Sequence, residues 1–194
     1  SIKALDPREE GRFVIARQTH SNVVSIVDSA EKGLNAVGEC DALITNQKGI
    51  TLLIRHADCQ ATILYDPKTQ VIANIHCGWR GLVNSIYQKT VEKMAAQFAV
   101  KPADVIACIG PSLGPCHAEF VHYESEFPTP FWSYQVKPCH FDLWAIGRDQ
   151  LVSLGLEPEH IEVAGECTYA DPSRFYSYRR DGTINRHATL VELI

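Results

Sequence analysis

Ile50-Thr51-Leu52-Leu53-Ile54 and Val71-Ile72-Ala73-Asn74-Ile75 are nearly continuous apolar runs rich in β-branched residues. A strand with one face in water alternates apolar with polar residues. These two do not, so both of their faces are covered, and a second layer of helices or another sheet must lie against them. Working outward, Phe13 to Ala16, Val23 to Val27, Ala42 to Thr45 and Ala61 to Tyr65 read as further strands, with the turn-formers Asn46-Gln47-Lys48-Gly49 and Asp66-Pro67-Lys68-Thr69 between them. Strands so closely spaced are expected to be neighbours and largely antiparallel.

The period changes after Gly81. Leu82, Val83, Ile86, Tyr87, Val91, Met94 and Phe98 recur every three or four residues, which predicts an amphipathic helix to about Phe98. A second helix is expected from Asp142, as N-cap, to Leu154, with Gly155 as its stop. Strands return at Ile161 to Val163, Phe175 to Tyr178 and Ala188 to Leu193, the last two joined through Asp181-Gly182. Pro128 to Pro138 is the longest irregular stretch and reads as a packed surface loop, with a mobile lid as the alternative.

With 194 residues, 45% of them apolar, one compact domain over residues 1–194 is expected. A net charge of −5 without a cationic run argues against nucleic acid and anionic membrane as partners. Seven cysteines in no regular frame and without a C-x-x-C pair fit thiols kept reduced in the cytoplasm better than a disulfide scaffold. No segment reads as a signal peptide or membrane span.

Three soft ligands stand where strands run out into polar turns: His20 in Arg17-Gln18-Thr19-His20-Ser21-Asn22, Cys59 in His56-Ala57-Asp58-Cys59-Gln60, and His76 in Ile75-His76-Cys77-Gly78-Trp79-Arg80-Gly81. Two imidazoles and a thiolate suit Zn²⁺ or copper, and three protein ligands leave one position open, as in catalytic sites. Singly, each has an ordinary reading as an inert core thiol or a satisfied core histidine. Arg80, at the entry to the first helix, is either an anion clamp or a solvated helix-start arginine. Gly110-Pro111-Ser112-Leu113-Gly114-Pro115-Cys116 is a rigid turn after a strand, either structural or a pocket wall with exposed backbone N–H groups, and Glu119 follows it as a pocket carboxylate, a helix-start charge or an exposed residue.

Together, His20-Ser21-Asn22, Ala57-Asp58-Cys59, His76-Cys77-Gly78-Trp79-Arg80-Gly81, the Gly110 to Cys116 turn, Cys167-Thr168-Tyr169 and Phe175-Tyr176-Ser177-Tyr178-Arg179-Arg180-Asp181-Gly182 resemble the multicopper polyphenol oxidase, or laccase-domain, family. Its members are described as purine nucleoside phosphorylases with adenosine deaminase activity. The resemblance runs in order from about Phe13 to the C-terminus. It implies an α+β fold, a four-layer α/β/β/α sandwich with mixed sheets, shared with Cys-His hydrolases. It implies His20, Cys59 and His76 as metal ligands, with zinc the usual occupant and copper an alternative. Cys59, His76 and Asp58 then fall in the catalytic set, Arg80 and Asn22 in the substrate-binding set, and the protein acts on purine nucleosides and phosphate as a monomer or homodimer. Two departures stand out: nothing corresponds to the Thr-Arg-x-Gly-Gly segment and strand pair with which members usually begin, and His56 replaces a more usual threonine. For His56 a benign or ligand-supporting role is expected, because its position three residues before Cys59 points it elsewhere.

A divalent ion in such a site acidifies water, as deamination at the purine C6 requires, or polarises a ligand oxygen. Phosphorolysis needs phosphate held against the ribose anomeric carbon, a task for Arg80, and Asp58 would orient a ligand or move a proton. Two other classes stay open: a metal-free Cys59–His76 dyad hydrolysing amides, as in relatives proposed to edit peptidoglycan precursors, and a nucleoside-binding relative without turnover. Oxidation of phenols is disfavoured, since one three-ligand site lacks the several copper centres that reduction of O₂ to water demands.

Overall fold

The computed structural model describes residues 11–194. Its strands are β1 (Arg12–Arg17), β2 (Val24–Ile26), β3 (Gly33–Glu39), β4 (Ala42–Thr45), β5 (Ile50–His56), β6 (Gln60–Asp66), β7 (Val71–Cys77), β8 (Ile106–Ile109), β9 (Gln135–Lys137), β10 (His140–Phe141), β11 (Ile161–Val163) and β12 (His187–Glu192). The helices are α1 (Trp79–Val83), α2 (Ile86–Phe98), α3 (Tyr123–Glu126), α4 (Leu143–Ser153) and α5 (Tyr178–Asp181). A four-stranded sheet in the order β12-β5-β1-β3 faces a six-stranded sheet in the order β11-β8-β6-β7-β4-β2, and β9 and β10 form a separate ribbon.

Side chains on β5 and β7 explain why their sequences lack alternation. Ile50, Leu52 and Ile54 of β5 meet Leu43, Ala61 and Ile72 of the other sheet in one core, while Val71, Ala73 and Ile75 turn the opposite way, onto Leu82, Ile86, Tyr87, Val91 and Met94 of the helices. Each fully buried Leu or Ile here contributes about 1.5–3 kcal/mol. The polar exception, Asn74, is wholly buried and donates through Nδ2 to the Leu52 (3.0 Å) and Thr189 (2.9 Å) carbonyls, tying the two sheets together. The chain has an α+β sandwich fold, with α1, α2 and α4 packed on the six-stranded sheet; among the described residues no helix makes extensive contact with the four-stranded one. No described helix is long and apolar enough to cross a membrane.

Four sequence readings are corrected. Pairing is mixed, not largely antiparallel: β1 runs parallel to β3 and β5, β2 to β4, and β8 to β11. From β1 to β6 the chain alternates between the two sheets, so neighbours within a sheet are reached by crossovers and several arrive parallel. The first helix is broken: Ser85 has φ 60°, which ends α1 and restarts the helix as α2. Phe175 to Tyr178 is not a strand; Ser177 accepts from the Arg180 amide and caps α5. Pro128 to Pro138 is ordered by a short 3₁₀ helix and the β9 strand, with Tyr134 donating its hydroxyl to Asp149 (2.9 Å). The second helix is as expected: Asp142 accepts from the Ala145 amide, and Gly155 with φ +94° follows its end.

Candidate metal centre

Because side chains alternate along β7, Ile72, Asn74 and His76 share the face directed between the sheets, and His76 is the last of them. At the same end of the sandwich β1 runs out into the His20 turn and β5 into the Cys59 turn. The Nε2 of His20 lies 3.8 Å from Cys59 Sγ, the His20 and His76 rings meet edge to face at 4.9 Å, and one ligating atom from each of the three residues lies within 4.8 Å of the others. His76 is buried, Cys59 half-buried and His20 exposed, so the cluster is rooted in the core and open on one side.

Asp41 organises this cluster, and the sequence reading missed it. Its fully buried carboxylate accepts from His76 Nδ1 (2.8 Å), from the amides of Thr19, His20 and Ser21 (3.2, 3.1 and 2.7 Å) and from the Ser21 hydroxyl (2.7 Å). An ionised carboxylate only accepts, so Nδ1 of His76 carries the proton and Nε2 is left to bind a ligand. The same bonds hold His20 in the left-handed region at φ 59°, a conformation that costs a non-glycine residue about 1–3 kcal/mol. The available signal was an acid, Asp41, directly before the wholly apolar start of β4.

The electrostatics follow from this wiring. Burial alone would raise the pKa of Asp41, but the bonds from His76 and Ser21 outweigh it and hold the carboxyl at about 2. Burial opposes charge on His76, yet Asp41 and Cys59 bring its pKa up to about 9. Burial likewise pushes the Cys59 thiol up, and His20 and His76 overcome it and bring it down to about 6. Cys59 in the metal-free protein is therefore a thiolate at neutral pH. Alkylation of the Cys59 peptide by iodoacetamide, followed by mass spectrometry, should rise with pH through about 6 and then level off. An inflection near the free-thiol value of about 8.5 would contradict this wiring.

The donor set fits a metal ion: two imidazoles and a thiolate converge, and a buried carboxylate orients one imidazole. Space for it is kept by Gly78. A Cβ there would stand 3.0 Å from Cys59 Sγ and 3.1 Å from His20 Cδ2. Gly78→Ala should displace both ligands and weaken metal retention by about tenfold or more, read by competition with a chromophoric chelator. Wild-type retention in that variant would mean that the space is unused.

The other expected residues lie as follows. Asp58 has φ 88°, and its carboxylate accepts from Thr168 Oγ1 (2.7 Å) and the Arg179 amide (2.6 Å), so it anchors the Cys167 and Phe175 motifs to the Cys59 turn; the carboxylate that accepts from His76 is that of Asp41 instead. Arg180 completes that anchor by donating to the Thr168, Tyr169 and Phe175 carbonyls. Asn22 donates to the Asn84 carbonyl (2.7 Å), bracing the His20 turn against the α1–α2 break, and is not among the residues lining the cavity. Arg80 is exposed, lines the cavity and stacks over Trp79 at 4.1 Å. His56 is buried, bonds Thr189 through Nε2 (2.9 Å) and lies outside the ligand cluster; burial and the neighbouring His187 and His76 lower its pKa to about 4.

A cavity of about 740 Å³ opens over the cluster. Its walls include Leu113, Leu143, Phe120 and Trp79, the last fixed edge to face against Phe120 and Phe127. It also gathers Arg17, Arg55, Arg179 and Arg186, none of which stood out in the sequence because they are scattered singly along it.

Residues 3–194 match the family described as multi-copper polyphenol oxidoreductase laccase, and the chain belongs to that family. A purine nucleoside phosphorylase of Bacteroides thetaiotaomicron is 35% identical over 185 residues, covering 88% of this chain and 68% of the relative. Purine nucleoside phosphorylase YlmD of Bacillus subtilis is 32% identical over 183 residues, covering 87% of this chain and 66% of the relative. The chain thus spans about two thirds of the length of these relatives. Among solved structures, hypothetical protein YfiH of Bacillus licheniformis superposes with a TM-score of 0.88 at 26% identity over 99% of this chain and 79% of that one. YlmD of Geobacillus stearothermophilus gives 0.84 at 28% identity, over 93% and 73%.

Proposed function

We propose that the chain is a zinc-dependent purine nucleoside phosphorylase acting on adenosine, inosine and methylthioadenosine, with adenosine deamination as a second activity. The observation that carries this reading is the convergence of His20, Cys59 and His76 in a cavity that also holds Arg80 and aromatic walls, in a chain about one third identical to proteins named for that activity.

His20, Cys59 and His76 would hold the ion, which when bound supplies a Lewis acid for a substrate oxygen or for water. Asp41, by accepting from Nδ1 of His76, would leave its Nε2 free to hold the ion. Arg80, its guanidinium steadied on Trp79, positions phosphate toward the ribose anomeric carbon, so that attack and base departure occur between pre-aligned groups. Trp79 and Phe120 offer faces to the purine, and Leu113 and Leu143 exclude water around it. Asp58, pinned by Thr168 and Arg179, orients a proton-bearing group of the substrate, and Asn22 serves indirectly by bracing the His20 turn. The cytoplasm suits a site that needs Cys59 reduced, and all seven cysteines are free.

Product analysis after incubating zinc-loaded protein with adenosine tests this reading. Adenine and ribose 1-phosphate in phosphate buffer, and inosine as the lesser product without phosphate, are expected. No conversion of adenosine or inosine sinks the assignment.

One observation favours a second reading. Without metal, the lowered pKa of Cys59 and the raised pKa of His76 describe a thiolate–imidazolium pair, the resting form of a Cys-His amide hydrolase. Amide hydrolysis by metal-depleted protein, stopped by alkylation of Cys59, would establish that reading over the first.

A further inference from the structure

A chain of buried polar side chains runs behind the cavity. By the alternation of a strand, Gln60 and Thr62 share with Leu64 the face of β6 that packs on the helices, and Gln60 directly follows Cys59. Tyr87 of α2 meets both. Wholly buried, its hydroxyl lies 2.7 Å from Thr62 Oγ1 and donates to Gln60 Oε1 at 2.6 Å. Gln60 Nε2 in turn donates to the carbonyl of Leu143, the first residue of α4, at 2.7 Å. That carbonyl only accepts, so it decides which end of the carboxamide faces it; Oε1 is left to Tyr87, and Tyr87, having given its one proton, accepts from Thr62. Burial raises the pKa of Tyr87 well above the ordinary phenol value, so the proton stays in place.

Such a chain is a local cost. Apolar side chains of similar volume would fill the same space without needing partners. The helix beside it also gives something up: α4 carries Gly147 inside its span, where glycine weakens a helix, and a Cβ there would stand 2.9 Å from Gln60 Oε1 and 3.4 Å from Tyr87 Cε2. Two costs meet at one point, and that point adjoins the site, because Cys59, Gln60 and Leu143 all line the cavity. Departures from local rules of this kind are expected at functional sites. A fully satisfied buried network holds one geometry, and this one ties the turn that carries Cys59 to the wall that carries Leu143.

We propose that Tyr87 and Gln60 are positioning residues for the substrate: Tyr87 fixes the Gln60 carboxamide, Gln60 fixes the first turn of α4, and Leu143 is thereby held at a set distance from the Cys59 turn, which determines the width left for the base. This rests on the phosphorylase reading for the identity of the ligand. The metal ligands are organised separately, since Asp41 accepts from the His76 ring and the His20 amide.

Tyr87→Phe removes one oxygen and leaves Gln60 Oε1 buried without its donor. Calorimetric titration of the zinc-loaded variant with inosine should show affinity weakened about tenfold, with KM for inosine following it and kcat within about threefold of wild type. Zinc retention against a chromophoric chelator should be unchanged. The Gln60→Leu/Tyr87→Phe double variant leaves no carboxamide unpaired, so its thermal stability should recover toward wild type while inosine affinity stays weak. Wild-type affinity in a folded Tyr87→Phe protein overturns the inference. So does affinity that returns together with stability in the double variant, which would make the network structural only. Where Tyr87→Phe does not fold, inosine binding by the double variant decides alone. Wild-type protein that neither binds nor converts inosine sinks the phosphorylase reading and this inference with it, whereas wild-type turnover beside an equally effective variant sinks this inference alone.

Discussion

Asp41→Ala is expected to lower metal affinity by about 10–100-fold, the usual cost of removing the residue that orients a ligating histidine. The loss has two routes. His76 would no longer have its Nδ1 proton fixed, and the amides of Thr19, His20 and Ser21 would lose the acceptor that holds His20 in its left-handed conformation. Removing one partner of a buried charged pair should also cost about 3–5 kcal/mol of stability. Asp41→Asn keeps the shape and one acceptor oxygen, so it should fold better and still bind metal weakly, because its amide N–H groups would face the backbone donors. The sign of the pH dependence is fixed by a folded-state pKa of about 2. In the metal-free protein the stability from Asp41 is fully present above its unfolded value of about 3.9 and is lost as pH falls toward the folded value. Acid unfolding of the two variants should lack that component. A folded Asp41→Ala protein with wild-type metal affinity would show that the carboxylate does not organise the centre.

Cys59→Ala is the second substitution with a large expected effect: metal retention through desalting should disappear, and phosphorolysis should fall at least about 10³-fold. The thiolate is the anionic member of the ligand set, and its loss leaves two imidazoles, one of them exposed. The fold should survive, since Cys59 is half-buried in a turn and outside both apolar cores. Unchanged zinc content would mean that Cys59 is not a ligand, and loss of turnover with zinc retained would move it to the role of nucleophile.

The sequence carried much of this cluster because His20, Cys59 and His76 stand at or just past the ends of strongly patterned strands. Unbroken apolar character in β5 and β7 signalled cover on both faces, and the polar residues that follow marked where that cover stops. What it did not carry depends on contacts remote in the chain. Gly33–Glu39 has two glycines and no apolar alternation, and among the described residues it forms β3 at a sheet edge, paired with β1. Phe175 to Tyr178 has the composition of a strand, but Ser177 caps a helical turn whose Arg179 amide is held by Asp58. Asp58 was expected near the ligands because it adjoins Cys59, whereas Asp41, which does the orienting, is 35 residues from His76 along the chain and meets it only through the pairing of β4 with β7. The arginines of the cavity come from β1, β5, α1, α5 and the segment before β12, and only folding collects them.

Cobalt(II) titration of metal-depleted protein, followed by absorption, reads whether His20, Cys59 and His76 bind one ion together. Saturation at about one ion per chain is expected, with intense visible bands of a four-coordinate centre and a thiolate-to-cobalt charge-transfer band that vanishes in Cys59→Ser. Weak bands of an oxygen-ligated ion, or a charge-transfer band that persists in Cys59→Ser, would contradict it.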